Sequence, residues 1–300
     1  MLPLQDEIDS RNAGGHLDHA MTIPVSIIIL TKNEEENLPK LAESVPWCDD
    51  VHVVDSLSTD NTLTQAKSLG FQTWTNPFRG FGDQRNWALS NCSLKYPWVL
   101  FLDADEKSTP AFAAALENAI TSAPETVAGF YCCWKMIVEE VWLKRCDGFP
   151  KWQFRLLRQG KARFADFGHG QKEADIQGEI RYLKEPYEHR PFSKGWADWL
   201  DRHNRYSTKE AQERIDLPFR PAEVFSSHGP IRNRALKACV SRVPGWPLVR
   251  FSLPYFLQLG FLEGQVGFTY CLNLAYYEFL IQIKMREIKS MRSARAKAGG

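Results

Sequence analysis

The sequence has no glycine-rich phosphate loop after its first predicted strand and no long uninterrupted hydrophobic run. The absence of a Gly-x-Gly-x-x-Gly motif argues against a dinucleotide-binding oxidoreductase, and the absence of a P-loop argues against a nucleoside triphosphatase. The first twenty residues also lack the apolar segment of a secretory signal. We therefore expect residues 1–22 to be a disordered N-terminal extension, or the result of an upstream start chosen over Met21.

Paired cysteines and a large charge imbalance are missing as well. The seven cysteines are odd in number, scattered, and never spaced as Cys-x-x-Cys. This pattern predicts reduced thiols in a cytoplasmic protein, and it argues against a disulfide framework or a zinc site. With 24% charged residues and a net charge of +1, the chain is not expected to have a nucleic-acid partner.

Short apolar strands alternate with helices through the first hundred residues. Strands are predicted at 25–30, 51–54, 71–74 and 98–102, and helices at 33–41, 58–69 and 82–92. This alternation predicts βαβ units, and hence an α/β fold with a mainly parallel sheet flanked by helices. A helix at 110–121 and strands near 130–134 and 153–157 follow. Few elements can be placed between residues 160 and 230.

The strand predicted at 98–102 ends in two carboxylates, Asp103 and Asp105, which are separated by one small residue. Residues two apart on an extended chain point the same way. Carboxylates bind Mg²⁺ or Mn²⁺ while water and substrate phosphates complete the coordination. We therefore predict a Mg²⁺ or Mn²⁺ site at these two residues. Thr31 and Asp55 also fall at the carboxyl ends of predicted strands, where ligands collect in such sheets. The alternative is a plain strand exit with solvated acids.

Four segments of the chain, taken together and in order, resemble the motifs of family 2 glycosyltransferases, which have the GT-A fold. They are VSIIILTKNEEEN at 25–37, VVDSLSTDNT at 53–62, GDQRNWA at 82–88 and FLDADE at 101–106. The resemblance extends roughly over residues 23–285. A closer likeness is to the branch that adds sugars to the lipopolysaccharide inner core, typified by β-1,4-glucosyltransferases. The Gly-Phe-Leu-Asp-Gly of that branch is similar to Gly-Phe-Leu-Glu-Gly at 260–264.

The resemblance implies a donor site for a UDP-sugar, with UDP-glucose as the expected donor. It implies that Thr31, Glu34 and Asp55 hold the nucleoside, with Asp55 near the base or ribose. Gln84 and Arg85 lie on a helix that helps to bind the nucleotide in that family, and a planar guanidinium suits a diphosphate. Glycines just before this helix would let its backbone approach a ligand closely. Two alternatives to ligand binding remain. In the first, Glu34 is an acid that is stabilised by the positive N-terminal end of a helix. In the second, Arg85 lies on a solvated helical face.

The same resemblance implies a metal-dependent inverting transfer of a hexose. A cation at Asp103 and Asp105 would neutralise the diphosphate leaving group, and Asp103 would also contact the donor. A carboxylate must then deprotonate the acceptor hydroxyl. Glu173 is the candidate, because it lies close to the equivalent acid of the family. That branch has a His-Glu pair here, whereas His169 is separated from Glu173. We assign His169 to substrate binding, with a metal ligand or an ordinary hydrogen-bonded histidine as alternatives.

The C-terminal part of the chain is basic and aromatic. No acidic residue occurs from His228 to Leu262, and the only charge between Arg250 and Glu278 is Glu263. Prolines and glycines interrupt the apolar run, so we predict two short amphipathic helices lying in a membrane interface, not one spanning helix. Residues 284–297 add six basic residues against one acid, as in a polybasic contact to anionic lipids. The alternative is packing on the core or dimerisation.

These observations predict three regions: the extension at 1–22, a GT-A domain at 23–230, and a basic amphipathic helical extension at 231–300 that associates with membranes. The expected acceptor is a lipid-linked saccharide such as lipopolysaccharide core or another cell-envelope glycan. The expected location is the cytoplasm, peripheral on the inner face of the membrane. Two other hypotheses stay open at this point, namely a sugar-phosphate nucleotidyltransferase and a non-catalytic nucleotide-binding module at a membrane surface.

Overall fold

The computed structural model describes residues 22–167, 170–217, 220–227, 229–240 and 243–298. The predicted extension at 1–22 therefore lies outside the described residues, except for Thr22. The first strands are β1 (Val25–Thr31), β2 (Val51–Asp55), β3 (Gln72–Thr75) and β4 (Trp98–Asp103). The helices between them are α1 (Leu38–Ala42), α2 (Thr62–Ser68) and α3 (Phe81–Asn91). The predicted alternation of strands and helices is confirmed.

The first helix begins later than the sequence pattern predicts, at Leu38 instead of Asn33. Asn33 has a left-handed backbone with φ of 59°. Its side-chain oxygen accepts a hydrogen bond from the Thr59 backbone N–H at 2.8 Å, and the Glu34 N–H donates to the Thr62 hydroxyl at 2.7 Å. These bonds hold residues 32–37 as a loop against the loop that follows β2. Side-chain bonds of this kind are not visible in the apolar periodicity of the sequence.

The remaining elements contain longer strands and a helical C-terminal part. The strands are β5 (Glu106–Lys107), β6 (Val127–Val138), β7 (Val141–Trp142), β8 (Trp152–Arg158), β9 (Arg163–Phe167), β10 (Gly170–Ala174) and β11 (Glu179–His189). The helices are α4 (Pro110–Ser122), α5 (Gly195–Asp216), α6 (Gly229–Val240), α7 (Trp246–Ser252) and α8 (Gly264–Ala298). Short 3₁₀ segments at Pro221–Phe225 and Gly260–Glu263 and a π turn at Leu253–Leu257 complete them.

The main sheet has the strand order β3-β2-β1-β4-β8-β6-β11-β5. The first four strands are parallel, β8 runs antiparallel between β4 and β6, and β6 is parallel to β11. Thr31 lies opposite Asp55, and Leu30 lies opposite Asp103. The predicted α/β class with a mainly parallel sheet is confirmed, and the predicted polar residues end their strands at one shared edge.

Both faces of the central strands are buried. Ile27 and Ile29 belong to the core on one face with Phe112 of α4, whereas Ile28 packs on the other face with Ala88 of α3. Burial on both faces explains why these strands read as nearly continuous apolar runs. The sheet is therefore a packed layer between helices, and its carboxyl edge is the part that is open to a ligand.

The C-terminal part differs from the prediction of two short interfacial helices. After the short helix α7, the chain turns through Leu259 and Gly264, which have φ of 60° and 65°. It then continues as one helix of 35 residues, α8, which includes the basic tail. Gly267 does not break this helix; it allows close packing, since a Cβ there would lie 2.4 Å from the Gly260 carbonyl oxygen. No helix in the described part of the chain combines the length and apolar character needed to cross a membrane.

Helix α8 packs along α5, which the predicted division at residue 230 assigns to the other domain. Arg214 of α5 is buried and forms an ion pair with Glu278 of α8 at 2.6 Å and with Glu210 at 2.7 Å. The Lys284 ammonium donates to the Ser207 and Thr208 hydroxyls, each at 2.8 Å. Part of the predicted polybasic tail is therefore used within the protein.

A buried histidine in β2 makes stability depend on pH. The Nε2 atom of His52 lies 3.0 Å from Asp50 Oδ1, and its Nδ1 accepts a hydrogen bond from Trp74 Nε1 at 3.1 Å. Burial lowers the pKa of His52, although Asp50 opposes this effect. Below about pH 6.5 the unfolded chain therefore binds a proton more readily than the native protein, and acid favours unfolding.

We expect the free energy of unfolding to fall as the pH drops from about 6.5 towards the lowered pKa of His52, by at most about 1.4 kcal/mol per pH unit. Urea titrations between pH 5 and 8 measure this slope, and His52→Gln provides a variant without the titrating group. The variant should show a flatter pH dependence than the wild type. Equal slopes in the two proteins would contradict the assignment.

Candidate active site

The carboxyl end of β4 is fixed by a tight turn that leads into β5. The Glu106 carboxylate reaches back and accepts a hydrogen bond from the Asp103 backbone N–H at 2.8 Å. The small side chain of Ala104 is buried inside the turn. Asp103 thus ends β4 and Asp105 lies in the turn that follows, on a backbone that a carboxylate holds in place.

Two arginines hold the Asp103 carboxylate. Its Oδ2 lies 2.6 Å from Arg155 Nη2, and its Oδ1 lies 3.4 Å from Arg85 Nη2. The Asp103 side chain is 40% exposed, whereas both arginine side chains are 2% exposed. Burial raises the pKa of Asp103, but Arg155 and Arg85 outweigh burial and hold it well below its usual range. Asp103 is therefore an ionised carboxylate with a fixed orientation and one open side.

Arg155 also binds a second, fully enclosed acid. Its Nη2 lies 2.7 Å from Glu106 Oε1, and the Glu106 side chain is 1% exposed. Burial raises the pKa of Glu106 to about 7, against the opposing charge of Arg155. Arg85 reaches the same region with its guanidinium over the Phe101 ring at 5.4 Å. The site therefore rests on a buried network of charged groups that face one another beneath the sheet edge.

A histidine that the sequence analysis did not assign faces the second aspartate. His189 ends β11, and its Nε2 lies 3.6 Å from Asp105 Oδ2. The next residue, Arg190, donates its backbone N–H to the Asp105 carbonyl oxygen at 2.9 Å. Burial lowers the pKa of His189, but Asp105 outweighs burial and the pKa is raised. The sequence signal for this residue is the charged Glu188-His189-Arg190 at the end of the strand, in a region where the sequence pattern defines few elements.

The predicted nucleoside-binding residues Thr31 and Asp55 lie together at the ends of β1 and β2. Asp55 is fully buried. Its Oδ1 accepts a hydrogen bond from the Thr31 hydroxyl at 3.0 Å, and its Oδ2 accepts one from the Ser58 backbone N–H at 2.8 Å. Asp55 thus organises the loop after β2. A direct contact between Asp55 and a nucleotide stays a prediction.

Gln84 and Glu34, two further predicted binding residues, are held by neighbouring groups. The Gln84 side chain is buried and donates to the Ser56 hydroxyl at 3.1 Å. Glu34 accepts hydrogen bonds from Lys194 Nζ at 2.9 Å and from Asn37 Nδ2 at 2.7 Å. Burial raises the pKa of Glu34, and Lys194 and Asn37 oppose that effect. Glu34 therefore links the loop after β1 to the start of α5, and its ligand role stays a prediction.

Glu173, the predicted catalytic base, lies on a separate two-stranded hairpin formed by β9 and β10. Its carboxylate accepts a hydrogen bond from the Tyr131 hydroxyl of β6. Among the described residues, the hydrogen-bond partner of Glu173 is Tyr131. No hydrogen bond joins Glu173 to Asp103 or Asp105 in that part of the chain. His169, the other residue predicted in this segment, lies outside the described residues.

The hairpin docks on the N-terminal part of α3. The Gly82 N–H donates to Asp166 Oδ1 at 2.8 Å, and Asn86 forms two hydrogen bonds with the backbone of Phe164. A Cβ at Gly82 would lie 2.8 Å from the Ala165 carbonyl carbon, and one at Gly80 would lie 2.3 Å from Asp166 Oδ2. These glycines therefore admit the hairpin, instead of the ligand that the sequence pattern predicts there.

The donor set at the sheet edge fits an open divalent-cation site. No group of three or more His, Cys, Asp or Glu side chains that could hold a metal ion occurs in the described ranges, so any site here has at most two such protein ligands. Asp105 and His189 face each other, and Asp103, which is partly exposed, precedes Asp105 by two residues. Mg²⁺ commonly uses one or two protein carboxylates and fills its other positions with water and substrate phosphates. A proton on His189 would have to leave before its nitrogen could bind a metal.

Comparisons with known proteins identify the class of enzyme. The chain is 26% identical over 284 residues to the lipopolysaccharide core biosynthesis glycosyltransferase LpsC of Rhizobium meliloti, covering 90% of this chain and 95% of that protein. It is 25% identical over 288 residues to an uncharacterised glycosyltransferase of Rickettsia bellii, covering 91% of this chain and 89% of the relative. The chain is a glycosyltransferase.

A family model defines the catalytic part of the chain more narrowly. Residues 26–170 match the Glycosyl transferase family 2 model, so the chain carries a family 2 glycosyltransferase domain. The matched segment contains both aspartates of the β4 turn, Arg85, Arg155 and the start of the β10 strand. The family resemblance drawn from the four sequence motifs is confirmed.

Solved structures of low sequence identity are also similar to this chain. Glucosyl-3-phosphoglycerate synthase from Mycobacterium tuberculosis, in complex with Mn²⁺, UDP and glucosyl-3-phosphoglycerate, shares 16% identity with a TM-score of 0.40. That match covers 64% of this chain and 78% of the synthase. The TarS 1–349 structure from S. aureus shares 16% identity with a TM-score of 0.38, covering 90% of this chain and 91% of that one.

Proposed function

We propose that this glycosyltransferase moves a hexose from a UDP-sugar, with UDP-glucose as the first candidate, to a lipid-anchored saccharide, using Mg²⁺ or Mn²⁺. The observation that carries the proposal is the sheet edge itself. There, Asp105 faces His189 at 3.6 Å, beside an Asp103 carboxylate that two buried arginines orient. The likeness to LpsC supports lipopolysaccharide core, or a related envelope glycan, as the acceptor class.

The side chains have distinct roles in this proposal. Asp105 and His189 hold the cation, which when bound offsets the negative charge that accumulates on the departing diphosphate. Asp103 is kept ionised and oriented by Arg155 and Arg85, so its open side accepts a hydrogen bond from a donor hydroxyl. Glu173 takes the proton of the acceptor hydroxyl, and the Tyr131 hydroxyl fixes the orientation of its carboxylate.

The donor and metal requirements are tested by measuring nucleoside diphosphate release from UDP-, GDP-, dTDP- and CDP-sugars. Deacylated lipopolysaccharide core serves as acceptor, with Mn²⁺, Mg²⁺ or EDTA present. We expect UDP release that needs both the cation and the acceptor, because the diphosphate charge has to be neutralised as the sugar departs. Equal release in EDTA, or release of pyrophosphate from a nucleoside triphosphate and a sugar phosphate, would contradict the proposal.

The proposed lipid-anchored acceptor agrees with a large exposed apolar surface, which we call the C-terminal face. It is formed by Leu248, Val249, Leu253, Phe256, Leu257, Leu259, Phe261, Leu262, Phe268, Leu272, Tyr276 and Phe279, all of which are exposed. Leu248 and Leu257 are 73% and 79% exposed. Exposed apolar surface on this scale marks an interaction site with a protein or a membrane.

The charge distribution favours an anionic lipid surface as the partner. Glu263 is the only acid between His228 and Tyr277. Its two carboxylate oxygens accept hydrogen bonds from the backbone N–H groups of Arg145 at 2.6 Å and Cys146 at 3.1 Å. The one negative charge of the segment is thereby engaged by the protein. Basic residues in the same segment are attracted to anionic lipid headgroups.

The C-terminal face adjoins the acceptor side of the site. Tyr270 and Cys271 of α8 pack with Met136 and Val138 at the carboxyl end of β6. Met136 in turn lies opposite His189 in the sheet. A membrane bound by this face would therefore bring its saccharides to the edge that carries Asp105 and His189.

Membrane binding is tested by flotation with phosphatidylcholine vesicles that contain or lack phosphatidylglycerol. Leu248→Glu combined with Leu257→Glu should reduce the vesicle-bound fraction at least tenfold, because burying a charge in the apolar interface is costly. Activity on a water-soluble acceptor should be unchanged. Ile176→Glu is the matched control, since Ile176 is exposed in the turn before the amino end of β11. Equal flotation of all variants would remove the membrane assignment.

A further inference from the structure

Three aromatic side chains form a partly exposed surface on the main sheet, which we call the aromatic platform: Tyr131 of β6, Trp152 of β8 and Tyr182 of β11. The Tyr131 and Tyr182 rings are stacked with centroids 5.2 Å apart, and Trp152 meets Tyr182 edge to face at 4.9 Å. Tyr182 is 55% exposed. A large ring held by two neighbours but open to solvent is available to a ligand.

The aromatic platform is connected to the aspartate site by continuous ring contacts. Phe101, two residues before Asp103, contacts Phe164 at 5.4 Å. Phe164 contacts Phe154 at 6.0 Å, and Phe154 contacts Tyr131 at 5.9 Å. The platform therefore lies on the same sheet face as these core rings, and a packed layer fixes its position relative to β4.

The strand registers place the aromatic platform beside the catalytic edge. Phe154 lies opposite Tyr131, and Tyr131 lies opposite Tyr182. Phe154 immediately precedes Arg155, whose guanidinium binds Asp103. Since neighbouring strands are about 4.8 Å apart, Tyr131 and Tyr182 are displaced sideways from β4 by roughly 10 and 14 Å. One or two sugar units span such a distance.

The surroundings of the aromatic platform are polar. The Tyr131 hydroxyl donates a hydrogen bond to Glu173, whose carboxylate has further acceptor capacity. Lys184, two residues after Tyr182 in β11, is exposed. An apolar protein partner would have to desolvate its charge. A pyranose ring fits better, because its C–H face packs on an aromatic π surface while its hydroxyls bond to polar neighbours.

We propose that the aromatic platform is the saccharide subsite for the acceptor: a hexopyranose unit stacks on Tyr182 and Trp152, and a hydroxyl of the acceptor donates a hydrogen bond to Glu173. The inference deepens the proposed transfer function and rests on it. It assigns acceptor recognition to the β6-β8-β11 surface, whereas the donor is held at the ends of β1, β2 and β4.

The test compares wild type, Tyr182→Ala, Tyr182→Phe and Trp152→Ala, with Tyr206→Ala as a control for loss of an exposed tyrosine elsewhere. Binding of deacylated lipopolysaccharide core oligosaccharide is measured by saturation-transfer difference NMR and calorimetry without donor or metal. Tyr182→Ala and Trp152→Ala should weaken binding at least tenfold and raise the acceptor KM equally, leaving the donor KM unchanged. Tyr182→Phe and Tyr206→Ala should stay within twofold of wild type.

Circular dichroism and melting temperatures check that the variants fold, and Tyr182→Leu keeps apolar bulk without a flat ring if the alanine variant unfolds. Affinity within twofold of wild type in folded Tyr182→Ala and Trp152→Ala would overturn the inference, as would a wild type that binds no core oligosaccharide. Platform-dependent binding without transfer from any donor would retain the subsite and remove the transfer function. Transfer by the variants with an unchanged acceptor KM would retain the transfer function and remove the subsite.

Discussion

Asp105→Asn is expected to lower kcat/KM for sugar transfer by about a thousandfold, equivalent to about 4 kcal/mol of transition-state stabilisation. Asp105 is the carboxylate that faces His189 at 3.6 Å, and an amide in its place carries no charge to hold a divalent cation. The side chain lies in a turn whose backbone is fixed by other groups, so the substitution preserves the fold. UDP release across a Mn²⁺ titration measures the effect.

The control for Asp105→Asn is Asp49→Asn. Asp49 is an exposed aspartate at the amino end of β2, where it pairs with Lys95 at 2.6 Å, remote from the carboxyl edge. The Asp49→Asn variant should retain full activity with the wild-type Mn²⁺ dependence. Wild-type turnover by Asp105→Asn at saturating donor and acceptor would show that this carboxylate does not hold the cation.

Arg155→Met is expected to destabilise the protein by about 3–5 kcal/mol, because it leaves two carboxylates without their shared counter-charge. Arg155 is fully enclosed and contacts Asp103 at 2.6 Å and Glu106 at 2.7 Å. Methionine fills much of the same volume, so loss of charge dominates over loss of packing. The free energy of unfolding from urea titration, monitored by tryptophan fluorescence, measures the change.

A neighbouring arginine in the same strand provides the matched control. Arg158 lies over the Trp98 ring at 4.4 Å, and its guanidinium makes longer hydrogen bonds of 3.3–3.4 Å to backbone carbonyls. Arg158→Met should therefore cost about 1 kcal/mol or less. Adding Glu106→Gln to Arg155→Met should recover part of the lost stability, since it removes the buried charge that loses its ion-pair partner, whereas Asp103 retains Arg85. Equal losses in the two single variants would contradict the role of the buried network.

The sequence predicts the first half of the fold because its central strands β1, β2 and β4 are buried on both faces. Runs such as Val25–Thr31 carry no charged residue, so their extent is visible without tertiary information. The pair Asp103 and Asp105 is equally visible, since an acid at the end of such a run has no role in a core. What the sequence alone does not show is that Asp103 is bound by Arg85 and Arg155.

The second half of the site depends on pairing between distant strands. His189 reaches Asp105 only because β11 pairs with the short strand β5 as well as with β6. Arg155 occupies a buried strand position at which an arginine is unusual, and that is the signal by which it could have been found. The prediction of two short C-terminal helices is wrong for α8, because Gly267 does not break the helix but allows close contact with Gly260.

The attachment of Glu263 to residues 145 and 146 ties the C-terminal face to the corner of the sheet next to the site. On a lipid bilayer this rigid attachment would fix the tilt of the whole molecule and keep its catalytic mouth at a constant height above the headgroups. The search for acceptor would then become two-dimensional. Turnover would follow the number of acceptor molecules per unit area of membrane, and diluting the vesicles in buffer would leave it unchanged.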